Sequence, residues 1–122
     1  MDPARKQKTF RRGIDCFNRR EFFTCHEVLE EIWLDAPEEE KPFYQGLIQV
    51  AAAFHHWQTG NLRGAGALLR RGVAKLRRYP PDAHGIDLAG LLAALAPWLD
   101  HLQRGQVADE PPLPAIRPPR PP

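Results

Sequence analysis

The sequence predicts a single all-α domain, a bundle of about five helices. Its 122 residues suffice for one hydrophobic core but not for two. Apolar residues recur at helical spacing in five segments, and each segment is bounded by capping residues, proline or glycine. No segment has the sustained apolar and polar alternation of a half-buried strand. Five helices joined by short links are typical of a bundle.

The first two helices are predicted from their start signals. Asp2, which a proline follows, predicts an N-cap with proline at the first helical position. Asn18 is predicted to cap the second helix, and Glu21 three residues later completes a capping-box pattern. Phe17 and Phe22 flank this cap at the spacing of a hydrophobic staple. The two helices are therefore expected to form a tight αα-hairpin.

The remaining three helices have equally clear boundaries. Pro42 is tolerated only in a first turn, so the third helix begins near it and ends before Gly60. Asn61 is predicted to cap the fourth helix, which ends where two prolines follow Tyr79. Asp87 is predicted to cap the fifth helix. These links are short enough to make consecutive helices neighbours.

The composition changes sharply near the C-terminus. Seven of the last twelve residues are proline. We therefore divide the chain into a helical-bundle domain, residues 1–106, and a proline-rich tail, residues 107–122. Such a tail offers little apolar surface for burial, and we expect it to be extended or disordered.

Several classes of protein are disfavoured by what the sequence lacks. No apolar run approaches the roughly 20 residues of a membrane span, and the charged N-terminus does not resemble a signal peptide. We therefore expect a cytoplasmic protein without a membrane partner, and leave homo-oligomer formation open. Cys16 and Cys25 fall at apolar helix positions and are interpreted as buried free thiols.

Charge is strongly segregated behind a net charge of +2. Residues 5–12 and 63–78 are basic without any acid, whereas residues 21–40 carry eight acids and no lysine or arginine. This pattern would fit a nucleic-acid surface. It would equally fit two basic helices that neutralise an acidic one, and we favour this interpretation, which makes a nucleic-acid partner unexpected.

Polar residues recur at helical spacing within the second and third helices. His26 and Glu30 are four residues apart and share one helix face. Gln45, Gln49 and His56 form a strip along the third helix. Unpaired buried polar groups are costly. Polar residues beside a core therefore indicate either a functional site or a network in which they hydrogen-bond one another.

We call these residues of the second and third helices together the polar strip. Three interpretations of the polar strip are open. In the first, His26, Glu30 and His56 hold a divalent metal ion such as zinc or manganese, and Glu27 is the base for a bound water. The local motif is H-E-x-x-E rather than H-E-x-x-H, so the analogy to zinc proteases is weak. In the second, the groups satisfy one another in a structural network.

In the third interpretation the strip lines a pocket for a small molecule. Gln45, Gln49, Trp33 and Asn61 are then the candidate binding residues, although core packing explains the tryptophan and an N-cap explains Asn61. The helical wheel places His55 away from the strip, so we select His56 as the site histidine.

Two motifs carry a resemblance to a known family. The segments F-x-x-C-H-E-V-L-E-E-I-W and Q-G-L-I-Q-V-A-A-A-F-H-H-W-Q-T-G-N-L-R-G-A resemble small bacterial proteins of domain-of-unknown-function family 309, between about Phe17 and Leu92. The resemblance implies an all-helical bundle similar to the helical domain that follows the catalytic domain of hyaluronidases. Family members are sometimes labelled predicted metal-dependent hydrolases.

The family pattern also implies site residues. Carried onto this chain, it selects His26, Glu27, Glu30, Trp33, Gln45, Gly46, Gln49, His56, Gly60 and Asn61. Two functions follow as hypotheses. One is a metal-dependent hydrolase with a pocket between the second and third helices. The other is a non-catalytic helical module that binds a small ligand or a protein partner, with the polar strip only a structural network.

Overall fold

The computed structural model describes residues 1–105 and 109–121, and within these residues it contains helices and no strand. The all-α fold class is therefore confirmed. A single 3-10 turn at Ala83–Gly85 precedes the last helix. The five α-helices are α1 Pro3–Asn18, α2 Phe22–Asp35, α3 Lys41–Gln58, α4 Leu62–Leu76 and α5 Leu88–Arg104.

Three of the predicted N-caps are confirmed. The side chain of Asp2 accepts a hydrogen bond from the Arg5 amide at 2.8 Å. Asn61 and Asp87 do the same for the amides three residues ahead of them, at 3.0 Å and 2.9 Å. These bonds satisfy amides that have no partner within the helix, which is why the three helices begin where they do.

The predicted capping box between α1 and α2 is wrong. Helix α1 continues through Asn18, and α2 begins after Glu21, whose side chain makes no capping bond. Arg20 turns the chain in the left-handed region, at φ 67°. The two phenylalanines of the predicted staple, Phe17 and Phe22, nevertheless meet with ring centroids 5.2 Å apart. The side chain of Asn18 is free to bind elsewhere, as described below.

The core is built around α3, which packs against both α2 and α4, while α1 packs on α2 and α5 on α4. Four aromatic residues from four helices form its centre. Phe17 and Phe22 contact Phe54 of α3, which in turn meets Trp98 of α5 with ring centroids 5.1 Å apart. Each of the four is at most 1% exposed.

Helices α3 and α4 approach closely because glycines meet at their crossing. A Cβ atom on Gly72 would lie 2.7 Å from the carbonyl oxygen of Gly46. A Cβ atom on Gly46 would lie 2.9 Å from the side chain of Leu76. Side chains larger than hydrogen would therefore force the two helix backbones apart.

Two further sequence expectations are tested by the fold. Cys16 and Cys25 are buried free thiols, as predicted. Burial raises the pKa of the Cys25 thiol to about 12, so this thiol is protonated at neutral pH. Within residues 1–105 and 109–121, no helix has both the length and the apolar character that crossing a bilayer requires.

The end of the chain packs on the bundle. We call residues 109–121 the C-terminal strap; they form neither helix nor strand. Ile116 is only 3% exposed and belongs to the hydrophobic core. The tail, which was expected to offer little apolar surface for burial, therefore buries one large apolar side chain. Residues 106–108 lie outside the described part, and the domain boundary at residue 106 stays a prediction.

Candidate functional site

The polar strip contains a close ion pair on α2. Nε2 of His26 lies 2.8 Å from Oε1 of Glu30, one helical turn away. The side chains are 30% and 48% exposed, respectively, so water reaches both. Because a carboxylate only accepts hydrogen bonds, the contact is attractive in the forms of His26 that carry a proton on Nε2.

A second pair joins the end of α3 to the start of α4. Nδ2 of Asn61 lies 3.2 Å from Nδ1 of His56, while Oδ1 of Asn61 caps α4. The amide nitrogen can only donate, so Nδ1 of His56 must accept, and the proton of the neutral imidazole lies on Nε2. Asn61 is thus both an N-cap and the residue that fixes the His56 tautomer.

His26 and His56 line one small cavity of about 120 Å³, together with Phe23, Ala52 and His55. Its volume is well below the roughly 300–1,000 Å³ of typical small-molecule sites. The helical wheel missed His55, whose ring meets that of Phe23 at 5.2 Å across the α2–α3 contact. A wheel shows one helix at a time and does not include the partner that turns a side chain inward.

The other predicted residues lie in different places. Oε1 of Gln49 accepts a hydrogen bond of 2.9 Å from Lys75 of α4, so it faces away from α2. Gln45 is half-buried on α3, one turn before Gln49, and Glu27 is exposed. Trp33 lies towards the other end of α2, with the Lys41 ammonium 4.7 Å from its ring centroid. The predicted pocket residues therefore do not converge on one point.

The donor set does not fit a metal centre. Within residues 1–105 and 109–121, no three His, Cys, Asp or Glu side chains are grouped so that they could hold a metal ion. Nε2 of His26 is engaged with Glu30. The ligand set His26, Glu30 and His56 stays a prediction, without geometric support.

A second site, which the sequence analysis missed, lies where the strap meets the bundle. Nδ2 of Asn18 donates to the Ile116 carbonyl at 2.9 Å, and the Ile116 amide donates to Oδ1 of Asn18 at 2.8 Å. One side-chain amide thus satisfies both backbone groups of a residue 98 positions away. The same amide had been interpreted as a helix cap.

Two more contacts hold the strap through its backbone. Nε1 of Trp98 donates to the Pro112 carbonyl at 2.9 Å, and the Asp87 amide donates to the Arg117 carbonyl at 2.8 Å. Trp98 is itself fully buried. Residues 112–117 are therefore fixed at three points on α1 and around α5.

One side chain of the strap also approaches two aromatic residues, the partly buried Trp57 and the buried His101. The carboxylate of Glu110 accepts a hydrogen bond from the Trp57 indole and lies 3.9 Å from Nε2 of the buried His101. Two cavities of about 260 and 530 Å³ border the strap. Both exceed the histidine-lined cavity between α2 and α3, and so do a cleft of about 540 Å³ on α1 and one of about 280 Å³ between α4 and α5.

Comparison with known families now gives a match to part of the chain. The sequence model described as "Domain of unknown function (DUF309)" matches residues 10–68. These residues, just under half of the chain, are similar to the DUF309 family. The stated resemblance is confirmed, although this match ends well before Leu92. It includes Asn18 and the polar strip, whereas Trp98 and the strap lie beyond the matched DUF309 residues.

Two uncharacterized bacterial proteins are similar to parts of this chain. An uncharacterized protein of Aquifex aeolicus is 30% identical over 93 residues, which are 75% of this chain and 28% of that protein. The uncharacterized protein YpuF of Bacillus subtilis is 39% identical over 59 residues, 48% of this chain and 34% of YpuF. The matched segments thus span about a third or less of the length of either relative.

Proposed function

We propose that the bundle is a non-catalytic module that binds an extended, proline-rich segment of a protein partner, and that the strap is its resident ligand. The observation that carries this proposal is the paired hydrogen bond between Asn18 and Ile116. A side-chain amide that bonds both backbone groups of a single residue recognises extended chain, because those groups are engaged internally in a helix.

We call the surface that holds residues 112–117, with Asn18, Asp87 and Trp98, the strap groove. The prolines explain why such a segment suits this groove. Proline fixes φ near −65° and drives the preceding residue towards extended conformations, so the strap loses less entropy when it docks. Proline carbonyls remain free to accept hydrogen bonds, as the Pro112 carbonyl does from Trp98. Grooves that recognise proline-rich segments in other proteins are likewise lined with aromatic residues.

Ile116 supplies the apolar anchor. Its side chain enters the core at 3% exposure, and full burial of such a side chain contributes about 1.5–3 kcal/mol. The flanking prolines at positions 118 and 119 are exposed. The preferred ligand is therefore a segment that combines prolines with one isoleucine or leucine at the position of Ile116.

The rival function, a metal-dependent hydrolase, has weaker support. Its proposed ligands are engaged in local pairs, His26 with Glu30 and His56 with Asn61. The cavity that His26 and His56 line measures about 120 Å³. The candidate base Glu27 is exposed, and no hydrolytic step can be derived from this arrangement.

The proposal is tested with the full chain and a fluorescent peptide of residues 109–121. Ile116→Asp should release the strap, because a carboxylate cannot be buried in the core without a partner. The variant should bind the peptide, with an affinity that fluorescence anisotropy measures. Wild-type protein should bind it at least tenfold more weakly, since its own strap competes at an effective concentration on the order of 1 mM.

Matched controls separate the groove from unspecific binding. Asn18→Ala added to Ile116→Asp should abolish peptide binding, whereas Gln7→Ala, an exposed amide on the same helix, should leave it unchanged. A peptide with aspartate at the isoleucine position should not bind. Circular dichroism verifies folding, and Ile116→Ala replaces Ile116→Asp if the latter unfolds. Equal peptide binding with and without Asn18 would refute the proposal.

A further inference from the structure

The two basic segments of the sequence have different surroundings in the fold. On α1, Lys6 pairs with Glu40 at 3.5 Å and Arg12 with Glu31 at 3.9 Å. Helix α4 packs on α3 and α5, whereas the acidic α2 packs on α1 and α3. The expectation that basic helices neutralise an acidic one is therefore correct for α1 and wrong for α4.

The cations of α4 have no acidic partner among residues 1–105 and 109–121. Three arginines in α4 and two just beyond it are all exposed and form none of the ion pairs found there. Residues 41–81, which contain α3 and α4, include no aspartate or glutamate at all. The arginines at or just beyond α4 are Arg63, Arg70, Arg71, Arg77 and Arg78.

These arginines form two rows on the helix surface. Arg63, Arg70 and Arg77 recur every seven residues, close to two full turns, and make one row. Arg71 and Arg78 each follow by one residue, so their row lies about 100° further round. Arg77 keeps helical backbone angles beyond the last helical residue, with φ −62° and ψ −14°.

Only small side chains lie between the rows. By the same helical geometry, Ala67 and Ala74 fall on the ridge between the rows, and Ala74 is exposed. An alanine ridge lets the helix backbone approach a surface closely, while the flanking arginines reach charges on both sides of it. We call this surface, residues 63–78, the α4 basic face.

We propose that the α4 basic face binds duplex DNA through its phosphates. The face spans about 22 Å along the helix axis, and the DNA major groove, about 12 Å wide, admits an α-helix with a phosphate row on either side. Arginine suits this contact because its planar fork pairs with phosphate. This inference is independent of the proposed peptide groove, which involves α1, α5 and the strap.

Other anionic partners fit less well. A membrane surface would call for apolar side chains beside the cations, but among residues 1–105 and 109–121 the exposed large hydrophobic residues, Phe23 and Leu34, both lie on α2. Duplex RNA presents a deep and narrow major groove that a helix cannot enter. The regular two-row arrangement also matches a periodic polyanion better than the irregular charges of an acidic protein.

The test is binding of the wild-type full chain to a fluorescent 20-base-pair duplex of arbitrary sequence, measured by anisotropy from 50 to 200 mM salt. We expect binding at low salt, with the logarithm of affinity falling linearly against the logarithm of salt concentration. If four arginines contact phosphates, the slope should be about −3.6. No binding at 50 mM salt would overturn the proposal.

A charge-matched pair of variants locates the surface. Arg70→Gln with Arg77→Gln should weaken binding at least tenfold and make the slope about 2 units shallower. Arg5→Gln with Arg11→Gln on α1 removes the same charge and should change affinity by less than threefold. Ala74→Glu on the ridge should abolish binding, and Ala74→Gln should weaken it less. Equal losses in both double variants, or tighter binding of duplex RNA, polyglutamate or anionic vesicles, would overturn it.

Discussion

The polar strip on α2 and α3 and the strap groove use the same kinds of side chain for different purposes. In the strip, His26 bonds Glu30 four residues away and His56 bonds Asn61 five residues away. In the groove, Asn18 bonds Ile116 across 98 residues. The strip groups are half-exposed, whereas Ile116 and Trp98 are buried. Polar residues at helical spacing therefore indicate local pairing more readily than a site.

This difference in range and burial has an energetic consequence. Local, solvated pairs contribute little because water replaces a lost partner. Long-range contacts made by buried groups contribute more, because their loss leaves a cavity or an unsatisfied backbone group. The predictions below test this contrast, beginning with the largest expected effect.

Ile116→Ala should cause the largest loss of stability. Truncation of a buried isoleucine leaves a cavity and typically costs about 2–5 kcal/mol; we expect the lower half of this range because the strap can readjust. Urea denaturation measures the free energy of unfolding. Pro119→Ala, at an exposed position of the strap, should change it by less than about 0.5 kcal/mol. Equal stability of both variants would show that the strap does not dock.

Gly72→Ala tests a second long-range contact, the crossing of α3 and α4. The added Cβ would lie 2.7 Å from a backbone oxygen of α3, and such overpacking costs about 1–3 kcal/mol. Gly66→Ala in the same helix would place its Cβ no closer than 3.6 Å to a neighbouring atom. It should stabilise the protein by up to about 1 kcal/mol through helix propensity. Thermal melts measure the effect: the melting temperature should fall for Gly72→Ala and rise for Gly66→Ala.

His26→Ala should have the smallest effect. A solvent-accessible pair four residues apart contributes about 0.3–0.5 kcal/mol, and alanine regains part of this through its helix propensity. We expect a change within about 0.5 kcal/mol, and no difference between wild type and variant when zinc or manganese is titrated. A loss above about 1.5 kcal/mol would indicate a buried network. Metal binding that the mutation removes would revive the predicted ligand set.

The sequence predicted the helices well because their signals are local. Asp2, Asn61 and Asp87 cap the helices that they were predicted to cap, since a cap involves amides only a few residues away. Asn18 has the same local signal, yet its amide bonds the strap, because a competing partner distant in sequence leaves no trace near residue 18. Ile116 lies in a proline-rich tail that has no periodicity to indicate burial.

Only part of the candidate site was predicted, because a sequence pattern reports local pairs and not contacts between distant segments. The spacing of His26 and Glu30 on one helix identified a pair that forms. The side of α3 that a residue faces depends on two neighbouring helices. Gln49 turns to Lys75 on α4, and His55 turns to the cavity with His26. A wheel for a single helix cannot distinguish these two directions.

Hydrogen exchange at the Ile116 amide tests the central claim most directly, because this amide is bonded to Asn18 only if the strap occupies its groove. In wild-type protein the Ile116 and Asp87 amides should exchange at least a hundredfold more slowly than in an unstructured peptide of the same sequence. In Asn18→Ala the Ile116 amide should lose most of this protection while the helix amides of α3 keep theirs. Unprotected exchange of the Ile116 amide in wild-type protein would contradict the account.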